Sequence, residues 1–175
     1  MIQLETERKF LVRSDAFAAE AVASQRLCQG YIACEGGNTV RVRIADRSGY
    51  LTIKGPGGPT GISRREWEME IPLPDAEALF ALCRGGRVEK TRYIIPADGG
   101  RRWEVDRFHG ENEGLVLAEI ELSAADETFE KPDWLGEEVT GIARYYNSAL
   151  SRRPFRSWLQ VVDGKEGHVA GADAR

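Results

Sequence analysis

The sequence predicts an α+β protein that is mainly β, in which about eight antiparallel strands close into a barrel with a few short helices outside it. Two observations support this class. Short segments with alternating apolar and charged residues recur along the 175-residue chain, separated by turns rich in Gly, Asn and Asp. In most of these segments one face is apolar, whereas the other carries charges of both signs. The length and an ordinary balance of hydrophobic (42%) and charged (30%) residues fit a single globular domain.

Overall composition excludes several classes of protein. A net charge of −4 and a pI near 5.4 argue against binding nucleic acid through a broad basic surface. The chain contains no apolar run of membrane-spanning length and no signal-peptide core. Cys28, Cys34 and Cys83 are odd in number and lack metal-ligand spacing, which predicts reduced thiols. We therefore expect a cytoplasmic protein without nucleic-acid or membrane partners.

The first predicted strand carries charged residues at the two-residue period of a β-strand. Glu5, Glu7 and Lys9 share one face, and Leu4 and Phe10 fall on the other. A helix would scatter the same residues around its axis. Taken alone, this alternation is also typical of an exposed strand in contact with water.

The rest of the first half predicts one short helix and four more strands. Ser14 is a suitable N-cap for the helix. In the second of these strands, Arg41 and Arg43 share the face opposite Val40 and Val42. The Gly-rich loop at 55–61 lacks the Gly-Lys-Ser/Thr ending and the helix that a phosphate-binding loop requires. The predicted helix spans residues 15–23, and the strands span residues 27–34, 39–45, 50–54 and 65–71.

The second half predicts three helices and three more strands. Ser123 caps a short helix towards Lys131, residues 132–136 form a connector, and Thr140 caps a last helix. Beyond Pro154 the periodicity disappears, which predicts a flexible tail. The helices other than that at Ser123 span residues 75–83 and 141–150, and the strands span residues 87–95, 101–108 and 115–122.

Closing such strands into a barrel with the apolar faces outward brings their charged faces together in a lumen. Burying many ionised groups costs several kcal/mol each unless they are paired or neutralised by a ligand. Carboxylates without His or Cys suit Mg²⁺ or Mn²⁺, and Lys and Arg suit phosphate oxygens. The lumen therefore predicts a site for a metal-bound polyphosphate. Its predicted basic residues are Lys9, Arg41, Arg43, Lys54, Lys90 and Arg92, and its acidic ones are Glu5, Glu7, Glu66, Glu68, Asp106, Glu119 and Glu121.

The N-terminal pattern Glu5-x-Glu7-x-Lys9 resembles the signature of the triphosphate tunnel metalloenzymes, the CYTH superfamily. The resemblance covers residues 1–152 and implies a tunnel of eight antiparallel strands with a C-terminal helix, leaving 153–175 as the tail. Further motifs are similar to those of the family and occur in the same order: Gln29-Gly30-Tyr31, Arg41-x-Arg43, Leu51-Thr52-Ile53-Lys54, Arg65-Glu66-x-Glu68, Glu89-Lys90-Thr91-Arg92-Tyr93, Asp106 and Glu119-x-Glu121.

The resemblance also implies a role for each matching residue. Catalysis is assigned to Glu5, Glu7 and Lys9, with Glu66 and Glu68 supporting the metal or the attacking water. Polyphosphate binding is assigned to Lys9, Arg41, Arg43, Lys54, Lys90 and Arg92. The Mg²⁺ or Mn²⁺ ligands are expected to be Glu5, Glu7, Asp106, Glu119 and Glu121.

Several functions are compatible with such a tunnel. The first is hydrolysis of inorganic tripolyphosphate to pyrophosphate and phosphate, because the chain has no recognisable base-binding segment. Adenylate cyclase, thiamine triphosphatase and nucleoside triphosphatase are alternatives in the same tunnel, and a non-catalytic polyphosphate-binding module is another. A homodimer is plausible by resemblance. Roles for Tyr31, Glu70, Glu104 and Arg144 remain open.

Overall fold

The computed structural model describes residues 2–159, and these residues form one continuous antiparallel sheet. Short hairpins join many consecutive strands, as the turn-forming residues in the sequence predict. The strands are β1 (Gln3–Val12), β2 (Ala23–Glu35), β3 (Asn38–Ala45), β4 (Ser48–Lys54), β5 (Ser63–Ile71), β6 (Val88–Pro96), β7 (Arg102–Phe108), β8 (Val116–Glu121) and β9 (Leu135–Glu138).

The sheet closes on itself through β1. The strand order is β5-β4-β3-β2-β6-β7-β8-β1, and the first half of β1 also pairs with β5, where Glu5 lies opposite Arg64. This confirms the predicted eight-stranded antiparallel barrel. The additional strand β9 pairs with the end of β1, with Glu138 opposite Phe10. The prediction of a connector at 132–136 was wrong at its end, because Leu135 already pairs with Val12.

Helices are few and short in the described part of the chain. None of the described helices is long and apolar enough to cross a bilayer. Three single 3₁₀ turns accompany them at Asp98–Gly100, Gly110–Asn112 and Ala143–Tyr145. The α-helices are α1 (Phe17–Glu20), α2 (Leu73–Phe80), α3 (Asn147–Leu150) and α4 (Phe155–Leu159).

Three helix predictions need correction. The helix at 15–23 shrinks to the four residues of α1, because the backbone is already extended at Ala21 and β2 begins at Ala23. No helix forms from Ser123 towards Lys131. Instead, the Ser123 amide donates to the Glu127 carboxylate at 2.6 Å, and the same carboxylate binds Arg101.

The predicted helix at 141–150 is divided in two. Thr140 does not cap it, because its hydroxyl binds the Lys9 amide and Glu138 instead. Tyr146 is extended (φ −71°, ψ 138°) and separates the 3₁₀ turn from α3. In the predicted tail, residues 155–159 form α4, and residues 160–175 lie outside the described residues.

The apolar core lies outside the barrel wall, on the sheet face opposite the charged residues. Phe10 and Trp103 are almost fully buried there and alternate with charged residues along β1 and β7. Trp103 and Trp134 pack edge to face there, with centroids 5.7 Å apart. A separate cluster around Val42 packs beneath α2. With the apolar faces turned outward, the charged faces meet inside.

Candidate active site

The barrel encloses a cavity of about 650 Å³ that opens to solvent. Among the predicted site residues, Asp106 alone does not line it. The described wall also includes residues that were not predicted, notably Arg64, Tyr146, Asn147 and Ser148. The predicted residues that line the cavity are Glu5, Glu7, Lys9, Arg41, Arg43, Lys54, Glu66, Glu68, Lys90, Arg92, Glu119 and Glu121.

Strand register brings opposite charges together across the wall. Lys9 lies opposite Glu119 on the β1–β8 pair, and one step along the same pair Glu7 lies opposite Glu121. Because side chains alternate between faces, these four share the inner face. The first pairing is between unlike charges and the second between like charges. Elsewhere in the wall, too, some carboxylates are paired with cations and others lie beside further carboxylates.

Glu119 is fully neutralised by neighbouring cations. Its oxygens lie 2.8 Å from Lys9 Nζ and 3.1 Å from Arg92 Nη2. Burial alone would raise the pKa of Glu119, but the charges of Lys9, Arg92 and Lys90 outweigh it and hold that pKa well below its usual value. Glu119 is therefore an ionised carboxylate at neutral pH.

Asp106 occupies the most buried position of the charged network. It is 1% exposed, and its carboxylate binds Lys90 Nζ at 2.5 Å and Arg92 Nη2 at 2.7 Å. Burial lowers the pKa of Lys90 to about 8, and Asp106 opposes that shift. Here Asp106 orients two cations from behind the cavity wall. Its predicted role as a metal ligand remains a prediction.

Arg64 is a wall residue that the sequence reasoning missed. Its Nε lies 3.0 Å from Glu5 Oε2, and Lys54 Nζ binds the same oxygen at 2.7 Å. Burial opposes the effect, but these two cations lower the pKa of Glu5. Lys54 also pairs with Glu66. The signal for Arg64 was present, because it precedes Glu66 by two residues and so shares its face.

Glu68 holds the two arginines of β3 in place. Arg41 and Arg43 both donate to its carboxylate at 3.1 Å or less, and the Thr52 hydroxyl adds a third donor at 2.6 Å. The Nε atoms of both arginines are buried without a hydrogen-bond partner in the described residues. Unpaired buried donors on two cations favour an anion as their partner.

Glu7 and Glu121 are the least compensated carboxylates of the wall. The cations near Glu7 are distant, with Arg64 at 3.5 Å and Lys9 at 4.0 Å. Burial, then the charges of Glu119 and Glu5, raise the pKa of Glu7, and Lys9 offsets only part of this effect. Within residues 2–159, Glu121 has no ion pair, and burial followed by the charges of Glu5 and Glu104 raises its pKa.

This acidic part of the wall fits a divalent cation in its chemistry. Its donors are carboxylate oxygens, which hard cations prefer, and the repulsion that raises the pKa values of Glu7 and Glu121 would be relieved by a positive ion. In the described part of the chain, no three acidic, His or Cys side chains already converge as a ligand set. The residue types therefore fit a metal, whereas several of the carboxylates are turned towards Lys and Arg.

Of the four residues whose roles the sequence left open, two line the cavity and two do not. Tyr31 and Glu104 line the cavity; Tyr31 is buried and accepts a hydrogen bond from Gln29, and Glu104 pairs with Arg92. Glu70 and Arg144 are exposed and do not line it. Arg144 instead packs over the Tyr145 ring, with its Cζ 4.9 Å from the centroid.

Comparisons with known proteins agree on one family. The model of the CYTH domain matches residues 3–149. A curated inorganic triphosphatase of Acetivibrio thermocellus is 48% identical over 157 residues, covering 89% of this chain and 98% of the relative. One from Nitrosomonas europaea is 37% identical over 150 residues, covering 84% and 96%. The crystal structure of the inorganic triphosphatase NE1496 aligns with a TM-score of 0.60 at 34% identity, covering 84% of this chain and 93% of that one.

Proposed function

This chain belongs to the CYTH domain family, and from that premise we propose that it is a metal-dependent hydrolase that cleaves inorganic tripolyphosphate to pyrophosphate and phosphate inside its barrel. The observation that carries the proposal is the division of the cavity wall. One part presents cations with unpaired donors, and another presents two carboxylates, Glu7 and Glu121, whose pKa values are raised by burial and by neighbouring carboxylates. A polyanion together with a divalent cation satisfies both parts at once.

The basic part of the wall binds the phosphate chain. Arg41 and Arg43 offer their unpaired Nε–H groups to phosphoryl oxygens while Glu68 fixes their orientation. On β6, two strands along the wall from β3, Arg92 is fixed by Asp106 in the same way. Because these side chains are held before the ligand arrives, little conformational entropy is lost on binding. Lys9, Lys54 and Lys90 complete the predicted substrate-binding set.

The acidic part of the wall would hold Mg²⁺ or Mn²⁺ through Glu5, Glu7, Glu119 and Glu121. When bound, such an ion polarises phosphoryl oxygens and makes a water molecule more acidic. Asp106 supports this site indirectly, through the orientation of Lys90 and Arg92.

Hydrolysis needs a water molecule, a proton acceptor and charge stabilisation. Water attacks the terminal phosphorus, the bridging P–O bond breaks, and pyrophosphate leaves with the bonding electron pair. The carboxylates of Glu66 and Glu68 face the cavity and can take the proton that the water loses. Lys9, Arg43 and Arg92 stabilise the negative charge that develops on the transferred phosphoryl group and on the leaving group.

Product analysis across a panel of substrates tests this proposal. Tripolyphosphate, ATP and thiamine triphosphate are each incubated with Mg²⁺ or Mn²⁺, and phosphate, pyrophosphate and cyclic AMP are quantified. We expect phosphate and pyrophosphate from tripolyphosphate at the highest kcat/KM. Cyclic AMP would indicate a cyclase, faster turnover of an organic triphosphate would change the substrate, and tight binding without turnover would indicate a sensor. The cytoplasmic location and the homodimer stay predictions.

A further inference from the structure

One end of the barrel is crossed by a stretch that we call the end segment, residues 139–151. It is tied to β1 by two hydrogen bonds, from the Val139 amide to the Lys9 carbonyl at 2.8 Å and from the Lys9 amide to the Thr140 side-chain hydroxyl at 3.0 Å. At its other end the Ser151 carbonyl accepts from the Gly86 amide at 2.7 Å. Leu150 is fully buried between these anchors. The end segment is therefore fixed across the opening.

The β4–β5 connection packs against the end segment at Gly61. A Cβ atom on Gly61 would lie 2.8 Å from Gly141 Cα and 2.9 Å from Tyr146 Oη, so the backbones touch where both glycines have positive φ angles (71° and 76°). The Tyr146 ring lies 5.4 Å from Lys9 Nζ. Tyr146 and Asn147 thus form part of the same cavity wall as Lys9, a residue of the proposed substrate-binding set.

The Asn147 carboxamide has an unsatisfied group in that wall. Its Oδ1 is buried and has no hydrogen-bond partner among the described residues. An Asn side chain offers two N–H donors together with this acceptor. A buried acceptor without a protein partner is rare in folded proteins, and in a cavity wall it is available to a ligand that brings a proton donor.

Phosphate chemistry identifies such a ligand. A terminal phosphoryl group has a second ionisation with a pKa of about 6, so it carries a P–OH proton in part of the population near neutral pH. An interior phosphoryl group, bonded on both sides to bridging oxygens, has no such proton. Only a terminal phosphoryl therefore offers the acceptor oxygens and the hydroxyl donor that a carboxamide can bind together.

We propose that Asn147 is a specificity-determining residue that binds the free terminal phosphoryl group of the substrate at the end closed by residues 139–151. The proposal rests on the function proposed above and specifies its substrate class. A linear polyphosphate with an unesterified end fits the site. A cyclic phosphate, or a chain esterified at both ends, lacks the recognised group.

Binding measured without divalent metal separates this proposal from catalysis. Isothermal titration calorimetry compares linear tripolyphosphate with cyclic trimetaphosphate for the wild-type protein and for Asn147→Ala. We expect the Kd for tripolyphosphate to rise on the order of tenfold in the variant, because a hydrogen-bonded pair is lost. The Kd for trimetaphosphate should change by less than about twofold, since no terminal group is present.

A charge variant and a matched control complete the experiment. Asn147→Asp places a negative charge beside the phosphoryl group and should weaken tripolyphosphate binding more than Asn147→Ala does. Asn38→Asp makes the same change of charge at the exposed first residue of β3, outside the cavity wall, and should leave both Kd values unchanged. An equal loss for both ligands, or an unchanged Kd for tripolyphosphate, would overturn the assignment. A lack of turnover with intact discrimination would instead contradict only the proposed hydrolysis.

Discussion

Glu119 and Glu7 lie on adjacent strands of the same wall, yet their environments are opposite. Glu119 binds Lys9 and Arg92 within 3.1 Å, whereas the nearest cation to Glu7 is Arg64 at 3.5 Å. The pKa of the first is held well below its usual value, and the pKa of the second is raised. Two largely buried carboxylates, with side chains 18% and 12% exposed, thus have pKa values shifted in opposite directions. Glu119 completes an ion-pair network of the folded protein, whereas Glu7 has cations only at 3.5 Å and 4.0 Å, and a bound metal ion would supply the positive charge that it needs.

The comparison teaches which charges serve stability and which serve binding. Removing one partner of a buried ion pair is strongly destabilising, because the other charge is left buried without compensation. Removing a carboxylate that is already repelled by its neighbours relieves unfavourable energy instead. The same substitution, Glu to Gln, should therefore have opposite effects on stability at the two positions.

The largest expected effect is on turnover at Glu7. Glu7→Gln removes one of the least compensated metal-ligand candidates and should lower kcat/KM for tripolyphosphate by roughly 1000-fold or more. Phosphate release with saturating Mg²⁺ or Mn²⁺ measures the loss. Glu70→Gln is the matched control, since Glu70 lies on β5 but is exposed and outside the cavity wall. Near-wild-type activity of Glu7→Gln would end the metal assignment.

The next effect is on stability at Glu119. Glu119→Gln leaves Lys9 and Arg92 each without one buried anionic partner, and should lower the free energy of unfolding by about 3 kcal/mol at pH 7. Urea denaturation of the metal-free protein measures this change, with the m-value checked for an unchanged denatured state. A stability equal to that of the wild type would mean that the network around Lys9 does not depend on Glu119.

The barrel, its antiparallel pairing and its charged inner face could be predicted from the sequence, because all three follow from side-chain alternation. Alternation also decides which residues share the inner face with Glu7. It does not say which of them pair, because the partners of Glu5 come from β4 and β5, whose register against β1 is set only on closure, and the arginine partners of Glu68 lie two strands away on β3. The difference between Glu7 and Glu119 in their cationic partners therefore could not be predicted from the sequence.

The end segment shows the second limit. Periodicity over 141–150 predicted a continuous helix, but the ring position of Tyr146 and the anchoring of Thr140 to β1 are tertiary contacts that divide it. Asn147 has no charge and belongs to no recognised motif, so nothing in the sequence drew attention to it. Strand β9 was missed for a similar reason, since four residues are too few to display alternation.

A third expected effect, at Glu121, is on the gain in the free energy of unfolding that metal binding provides. At a free Mn²⁺ concentration of about 100 times Kd, the wild-type free energy of unfolding should rise by about 2.7 kcal/mol. Glu121→Gln weakens the site, and the gain at the same concentration should be about 1 kcal/mol smaller. Thermal unfolding with and without Mn²⁺ measures both. An identical gain in the variant would place the ion elsewhere, and Glu70→Gln again provides the control.

The smallest expected effect is the most direct test of the contrast between Glu7 and Glu119. It is a gain in stability when the charge of Glu7 is removed. The raised pKa of Glu7 means that the folded protein binds a proton more readily than the unfolded chain. Between the unfolded value of 4.5 and the raised value, the free energy of unfolding therefore falls as pH rises. Glu7→Gln removes that penalty and should be more stable than the wild type by about 1 kcal/mol at pH 8 without metal.

The pH dependence of this gain distinguishes electrostatics from packing. At pH 4, below the unfolded value of 4.5, Glu7 is mostly protonated in both states, so the difference between the Glu7→Gln variant and the wild type should be close to zero. Paired urea titrations at pH 8 and pH 4 in the presence of a chelator measure the difference directly. A gain that persists unchanged at pH 4 would indicate better packing by Gln. A loss of stability at pH 8 would mean that Lys9 and Arg64 compensate Glu7 despite their distance, and the contrast with Glu119 would disappear.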